Sequence, residues 1–265
     1  MAPATTIATL DRATITANPE DKVINISAKR MQLNQIPIPN GLFLAKQYGD
    51  GLMDLIRYNL TPARSFAQHG EDNLMLDQLK PFLASGFYVD VGANHPSKLS
   101  NTFKLYKSGM RGIAIEPNPR MCRVYEKFRP QDVCLCMGLG SSDDLQCLKV
   151  SKYHGLSSFS SDGFLDTSGT QSSRYIPITT LNRVLDSVCL ADRSQFALLS
   201  IDCEGWDEIV LQGNNWTKHR PLYIIAEFLS PESRSRMTAY LQDQGYALYK
   251  ITGCNLLFRD EKAAA

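Results

Sequence analysis

Two short apolar segments, each closed by an acidic residue, limit what this chain can fold into. Residues 86–94 read GFYVDVGAN and residues 111–117 read RGIAIEP. An apolar strand with a glycine turn, followed by a second strand that ends in an acid, is typical of the adenosine-binding half of an α/β sheet. Gly92 and its small neighbours let the backbone approach a ligand, and the carboxylate of Glu116 can accept hydrogen bonds from both hydroxyls of a ribose. The two segments therefore predict neighbouring parallel strands that meet an adenosine group at their carboxyl ends.

The glycine pattern distinguishes between adenosine cofactors. NAD requires G-x-G-x-x-G, because helix N-terminal amides must reach its phosphates. Here the letters after Gly92 are ANHP, so this phosphate cradle is missing. Asp90 would repel a diphosphate and attract a cationic centre. S-adenosylmethionine carries an adenosine, a sulfonium and an ammonium group, and it meets each of these requirements.

The composition is that of a globular chain whose charges nearly cancel. Of its 265 residues, 43% are hydrophobic, and 28 Lys and Arg balance 27 Asp and Glu. Such a balance argues against nucleic acid or an anionic membrane as a partner. No apolar stretch reaches the ~18 residues of a membrane span, and the N-terminal residues lack a charged segment followed by an apolar one, so we expect a protein that is not exported. The seven cysteines are odd in number and lack C-x-x-C spacing, so we predict reduced thiols in a cytoplasmic protein.

The order of predicted elements favours one α/β domain behind an N-terminal arm. Residues 1 to about 49 are rich in Ala, Thr, Pro and Asn and show only weak periodicity. We interpret residues 1–60 as an arm or linker and as a candidate contact in a homo-oligomer. Residues 61–262 alternate strands with helices, which predicts a doubly wound, mainly parallel sheet with a C-terminal antiparallel hairpin strand. Residues 151–174 are dominated by Ser, Gly, Asp and Thr, and we expect a loop that selects and covers the acceptor.

Four predicted strands end in or next to an acid, namely Asp90, Glu116, Asp202 and Glu227. Ligands of open α/β sheets bind outside the carboxyl ends of the strands. The sequence therefore predicts that these four side chains converge on one crevice, although they are far apart along the chain.

Four stretches of the chain together carry a family pattern. Residues 65–72, SFAQHGED, are similar to the S-x-x-Q-x-G-E-D opening of FkbM-type methyltransferases, and YVDVGAN with IAIEPNP resembles their cofactor motifs. Residues 199–213, LSIDCEGWDEIVLQG, resemble the family's K-I-D-x-E-G-x-E-x-x-x-L-x-G stretch. The resemblance runs from about residue 65 to residue 258. It implies a class I, Rossmann-like methyltransferase fold, S-adenosylmethionine as the cofactor, and an acceptor hydroxyl on a sugar, glycan or polyketide-like natural product.

The strand ends and the resemblance together give the expected cofactor site. The residues expected to bind the cofactor are Gln68, Asp90, Gly92, Ala93, Asn94, Glu116, Pro117, Asn118, Ser142 and Asp143. The chain departs from the family pattern at two places: Ser200 stands where Lys is usual, and Asp207 where Glu is frequent. Contacts around this acidic stretch are therefore expected to differ, and the acceptor, a small molecule or a glycan, is not named by the match.

Methyl transfer to a hydroxyl benefits from a base, and three residues are candidates for the chemistry. Asp202 is the first candidate, because it ends a central strand beside the expected cofactor site. Glu204 is a candidate for orienting the acceptor, and His154 in the polar loop is an alternative base. Asp202, Glu204 and Glu227 also form a candidate set of oxygen ligands that would suit Mg²⁺. The sequence leaves metal dependence open.

Two other functional classes stay open at this point. One is a Rossmann-type oxidoreductase that binds NAD, which a binding comparison of NADH with S-adenosylmethionine would reveal. The other is a catalytically silent subunit that binds adenosine without turnover. Four acids at the strand ends argue against loss of catalysis, and a measurement of turnover would decide.

Overall fold

The computed structural model of the protein describes residues 65–151, 157, 159, 170–190 and 193–264, together with the backbone of residues 9–10, 13–17 and 24–28. The strands are β1 (Thr9–Leu10), β2 (Ala13–Ala17), β3 (Ile24–Ala28), β4 (Gly86–Val91), β5 (Arg111–Ile115), β6 (Val133–Leu135), β7 (Gly138–Gly140), β8 (Asp144–Ser151), β9 (Thr170–Thr180), β10 (Val188–Leu190), β11 (Gln195–Ile201), β12 (Tyr223–Glu227), β13 (Tyr246–Thr252) and β14 (Asn255–Asp260). The α-helices are α1 (Glu71–Leu79), α2 (Phe103–Lys107), α3 (Pro119–Phe128), α4 (Leu181–Ser187), α5 (Asp207–Gln212) and α6 (Pro231–Asp243), and single 3₁₀ turns cover Lys80–Phe82 and Lys262–Ala264.

The main sheet of the described residues has seven strands in the order β6-β5-β4-β11-β12-β14-β13. Neighbouring strands from β6 to β12 are parallel, and β14 is antiparallel to both β12 and β13. The predicted doubly wound sheet with a C-terminal antiparallel strand is confirmed. The chain builds β4, β5 and β6 towards one edge and then returns to place β11 on the other side of β4. The carboxyl ends of β4 and β11 therefore lie at a topological switch point, where such sheets bind ligands.

Side chains of the central strands alternate between two hydrophobic cores, one on each face of the sheet. On one face, Val89 and Val91 of β4 pack in a core that includes Val184 of α4, Val210 of α5 and Leu241 of α6. On the other face, residues of β4, β11 and β12 share a core with residues of α1: Tyr88, Leu198, Ile225, Met75 and Leu79. Strands covered on both faces read as continuous apolar runs, which is why the sequence predicts them well.

A second sheet of the described residues, in the order β7-β9-β8, flanks the first. The predicted loop over residues 151–174 overlaps the strands on both sides of it. Strand β8 continues to Ser151, and β9 already begins at Thr170. Ser172 of β9 pairs with Val150 of β8 in an antiparallel ladder. One face of this hairpin is exposed, so its polar residues hide the strand pattern. Of the segment between the two strands, Ser157 and Phe159 are described; His154 lies outside the described residues.

The backbone of β1, β2 and β3 forms a small sheet in which β3 pairs with β10. The boundary between an arm over residues 1–60 and a domain over residues 61–262 stays a prediction. None of the helices in the described part of the chain has the length and apolar character needed to cross a bilayer.

Candidate functional site

A pocket opens at the carboxyl ends of β4, β5 and β11. Its empty volume, including the open mouth, is about 720 Å³. The segments that follow these three strands supply much of its lining: Gly92, Asn94, Glu116, Pro117, Asn118, Met121, Asp202, Cys203, Glu204 and Trp206. The structure thus brings residues from three predicted strand ends to one crevice.

Gly92 lets the end of β4 approach the end of β11. Its φ of +74° lies in the left-handed region, and a Cβ atom there would overlap the carbonyl oxygen of Asp202. The amides of Gly92 and Ala93 donate to the carbonyl oxygen of Ile115 at 3.0 and 3.2 Å. The glycine therefore joins the ends of three strands, in addition to forming part of the pocket wall.

Glu116 places a buried carboxylate in the pocket. The backbone amide of Asn94 donates to Oε2, and that of Asn118 donates to Oε1, both at 2.7 Å. Burial raises the pKa of Glu116 to about 7, against the lowering effect of these two amides. Each carboxylate oxygen can accept more than one hydrogen bond. The side chain is thus held in a fixed orientation with acceptor capacity left for a ligand.

An apolar wall stands beside Glu116. It includes Met121 of α3, Met137 between β6 and β7, Leu139 of β7, and Phe159. The indole N–H of Trp206 donates to the carbonyl oxygen of Leu139 at 3.0 Å, and the rings of Trp206 and Phe159 lie 5.9 Å apart. The sequence reasoning missed Met137 and Leu139. They follow β6, the next parallel strand, so the rule that placed Glu116 could also have found them.

A cluster of carboxylates occupies the part of the site next to β11 and β12. Asp202, Glu204 and Glu227 each have an oxygen within 4.8 Å of the other two. The pKa of each is raised, and burial is the main cause. The pKa of Glu204 rises to about 7 and that of Glu227 to about 9, and the pKa of Asp202 is raised as well. The carboxylate of Asp207, at the start of α5, lies close by, and its negative charge contributes to the shift at Glu227. We name these four residues the acidic cluster.

The SFAQHGED motif forms part of the structure behind the acidic cluster. Asp72 fixes the start of the motif by accepting hydrogen bonds from Ser65 Oγ and from the amide of Phe66, both at 2.7 Å. Buried Glu71 accepts from the amide of His69 at 2.9 Å and from Asn255 Nδ2 at 2.7 Å. Its charge also raises the pKa of Asp202. The motif therefore adds negative charge near Asp202.

Several residues expected to bind the cofactor lie elsewhere among the described residues. The pocket lining does not include Gln68, Ser142 and Asp143, which are exposed, or Ala93, which is buried. Asp143 instead accepts hydrogen bonds from Thr179 Oγ1 at 2.7 Å and from Arg183 at 2.5 Å. These contacts join Asp143 to β9 and α4 at the surface, outside the pocket.

Asp90 also faces away from the pocket. Its carboxylate is 6% exposed and accepts a 2.5 Å hydrogen bond from Thr102 Oγ1. Burial raises its pKa to about 6, while the positive charge of Arg129 acts in the opposite direction. The pleat explains this placement, because Asp90 shares a face with Tyr88 whereas Val91 lines the pocket. The structure thus assigns Asp90 an internal partner instead of a ligand.

The residues that do line the pocket fit an adenosine cofactor. Glu116 offers oriented acceptors to ribose hydroxyls, and Met121, Met137 and Leu139 offer an apolar surface to a base. The acidic cluster suits a cationic group. The pocket contains no glycine-rich phosphate cradle, as the letters after Gly92 indicate.

Comparison with known families decides the assignment. Residues 90–248, more than half of the chain, match the model of the methyltransferase FkbM domain. The chain belongs to the FkbM methyltransferase family. The resemblance of the YVDVGAN, IAIEPNP and LSIDCEGWDEIVLQG stretches is thereby confirmed, and its fold is the class I methyltransferase fold. No curated protein matches the chain with statistical significance.

Solved structures similar to this FkbM family member include three methyltransferases. An FkbM methyltransferase from Methylobacillus flagellatus is 14% identical with a TM-score of 0.42, and the match covers 66% of this chain and 44% of that one. A precorrin-6y C5,15-methyltransferase from Geobacter metallireducens is 14% identical with a TM-score of 0.36, over 75% and 90% of the two chains. An O-methyltransferase from Bacillus cereus, solved with S-adenosylhomocysteine, is 12% identical with a TM-score of 0.36, over 84% and 92%. The chain thus spans less than half of the Methylobacillus protein.

Proposed function

We propose that this FkbM family member transfers a methyl group from S-adenosylmethionine to a hydroxyl oxygen of a small-molecule or glycan acceptor. One observation carries the proposal: a single pocket of a methyltransferase fold is lined by the buried, oriented carboxylate of Glu116 on one side of β4 and by the carboxylates of Asp202 and Glu204 on the other. Strands in a sheet are spaced by about 4.8 Å, so Glu116 and Asp202 belong to two distinct parts of the pocket.

The cofactor's adenosine would be held beside β5. Glu116 would accept hydrogen bonds from the ribose hydroxyls, and the wall of Met121, Met137 and Leu139 would cover the adenine. When bound, S-adenosylmethionine supplies an electrophilic methyl group. The positive charge of the cofactor's sulfonium would be stabilised by the nearby carboxylates of the acidic cluster.

The acceptor would be activated beside β11. Asp202 is the proposed base: it accepts the proton of the acceptor hydroxyl, the hydroxyl oxygen forms its bond to the methyl carbon, and the carbon–sulfur bond breaks. A base within hydrogen-bond reach typically contributes about 10²–10⁴-fold to the rate. Glu204 also lines the pocket and would orient the hydroxyl. Together they would hold the oxygen in line, which supplies much of the catalysis in such displacements.

The rim of the pocket favours a hydroxylated acceptor with some apolar surface. Ser157 and Glu204 offer polar contacts, and the rings of Phe159 and Trp206 offer flat apolar ones. Sugars and polyketide-like compounds present both kinds of surface. The rim therefore supports a class of acceptor by its chemistry, and the individual acceptor is to be found by experiment.

The proposal is tested by measuring cofactor binding and methyl transfer separately. We expect calorimetry to detect binding of S-adenosylhomocysteine and not of NADH, and we expect labelled methyl incorporation into a member of a panel of sugars and hydroxylated natural products. Asp202→Asn should retain S-adenosylhomocysteine binding and lower methyl transfer at least about a hundredfold, because it removes a base and keeps the shape.

The matched control is Asp186→Asn, which removes an acid that pairs with Lys218 and His219 outside the pocket. It should leave both quantities unchanged. Binding of NADH in preference to S-adenosylhomocysteine would support the oxidoreductase alternative instead. Binding without turnover of any acceptor would support the silent-subunit alternative.

A further inference from the structure

The acidic cluster brings three carboxylates close together: Asp202, Glu204 and Glu227 each have an oxygen within 4.8 Å of the other two. The side chains of Asp202 and Glu227 lie within hydrogen-bond distance of each other. Carboxylates this close repel one another unless a proton or a cation lies between them.

Two buried oxygens at the cluster lack a hydrogen-bond partner among the described residues. Asp207 is 2% exposed, and its Oδ2 accepts a 3.4 Å hydrogen bond from the amide of Cys203 while its Oδ1 accepts none. Glu227 Oε2 is likewise buried without a partner, although the thiol of Cys254 reaches Oε1 at 3.5 Å. Buried oxygens of carboxylates are normally satisfied, and an exception often marks an ion or a ligand.

The backbone also builds the cluster in a fixed shape. Glu204 has a φ of +51° and Gly205 a φ of +91°, so two consecutive left-handed residues turn the chain sharply after β11. This turn brings Glu204 back towards Asp202, two residues earlier, and towards Glu227 at the end of the neighbouring strand. A left-handed conformation in a residue other than glycine costs about 1–3 kcal/mol, and it is maintained here at the cluster.

We propose that Asp202, Glu204 and Glu227 bind a divalent cation, next to the buried carboxylate of Asp207. Oxygen-only ligands select hard ions of the Mg²⁺ type. Three protein ligands leave open positions on a six-coordinate ion, which oxygens of the acceptor can fill. Resting on the proposed function, this names a substrate class: acceptors with two adjacent oxygen atoms, such as the vicinal diols of sugars. A carboxylate has two oxygens, so Asp202 can bind the ion through one and accept a proton through the other.

The test uses Mn²⁺ as a spectroscopic probe on the full chain after treatment with a chelator. Electron paramagnetic resonance should show one tightly bound Mn²⁺, which Mg²⁺ displaces. Glu227→Gln keeps the shape and removes a charged ligand, so it should weaken Mn²⁺ binding at least about tenfold. Asp186→Asn, an acid outside the cluster, should bind Mn²⁺ as the wild type does. Circular dichroism of each variant serves as the check of folding.

Failure of the ion and failure of the methyl-transfer proposal have different signatures. Absence of Mn²⁺ binding at millimolar concentration, or equal binding by Glu227→Gln, would overturn the cation site and indicate a proton shared between the carboxyls. Methyl transfer would then continue unchanged after chelation. Mn²⁺ binding without S-adenosylhomocysteine binding would instead keep the ion and remove the proposed reaction. A preference for vicinal diols over isolated hydroxyls, seen only with the ion present, would support its role with the acceptor.

Discussion

At the scale of single residues, Gly92 is required for a structural reason as well as for the ligand approach that the motif predicts. The sequence suggests that a glycine here admits a ligand, and the structure adds that the carbonyl oxygen of Asp202 fills the space where a Cβ atom would be. The motif therefore fixes the distance between the cofactor strand and the strand that bears the proposed base.

The substitution Gly92→Ala should destabilise the protein by more than backbone strain alone. A left-handed alanine costs about 1–3 kcal/mol, and the overlap with Asp202 adds an overpacking cost of about 1–3 kcal/mol. Gly109→Ala is the matched control, because Gly109 also has a positive φ, of +101°, with nothing within 4 Å of a built Cβ. Urea unfolding of both variants measures the difference, and equal losses would show that the overlap is relieved at no cost.

Glu116 gives the cofactor site a pH dependence of defined sign. Its pKa is raised to about 7, chiefly by burial, and the charge of Asp90 adds to the shift. Ribose hydroxyls donate to the ionised form, so binding favours the carboxylate and weakens as the pH falls through 7. We expect the affinity for S-adenosylhomocysteine to fall about tenfold from pH 8 to pH 6.

Two variants identify the titrating group in that experiment. Glu116→Gln should bind more weakly at pH 8 and show a flatter profile than the wild type, while Asp90→Asn should keep the wild-type slope. Circular dichroism at each pH confirms that the protein stays folded. A wild-type profile as flat as that of Glu116→Gln would remove Glu116 from the binding equilibrium.

At the scale of elements, one buried arginine joins α3 to β4 and to the loop before α2. Arg129 is 1% exposed and donates to Asp132 at 2.7 Å, to the hydroxyl of Tyr88 at 2.6 Å and to Thr102 Oγ1 at 3.0 Å. Thr102 in turn donates to Asp90. This network satisfies the acid that the cofactor motif places at the end of β4.

Arg129→Met should lower the free energy of unfolding by about 3–5 kcal/mol, because it leaves buried carboxylates without their cation. The control is Arg183→Met, which breaks an ion pair with Asp143 whose side chains are 67% and 55% exposed. Exposed pairs contribute about 0–1 kcal/mol, so this change should be small. Chemical denaturation of the two variants compares them directly, and equal losses would contradict the structural role of Arg129.

At the scale of the whole molecule, the parts predicted from sequence are those set by a repeated physical rule. Strands buried on both faces show continuous apolar runs, and parallel strands bring their carboxyl ends to one edge, so the sheet and the meeting of Glu116 with Asp202 could be predicted. Strands at residues 145–150 and 176–179 could also be predicted, but the start of β9 at Thr170 could not, because its exposed residues 172–174 are polar. The burial of Asp90 could not be predicted either. Whether an acid at a strand end faces a ligand or the interior depends on its partners, and the partners of Asp90, Arg129 and Thr102, are not adjacent to it in the sequence.

The hydrogen bond from Asn255 to Glu71 joins residues separated by 184 positions. During synthesis, α1 and β4 leave the ribosome long before β14 exists to insert between β12 and β13. Buried Glu71 of the SFAQHGED motif can therefore accept from the amide of His69 early, but it gains its side-chain partner only after β14 has been synthesised. A nascent chain can form the Glu116 side of the pocket before that point, whereas the support behind the acidic cluster is completed only when the β13–β14 hairpin is in place.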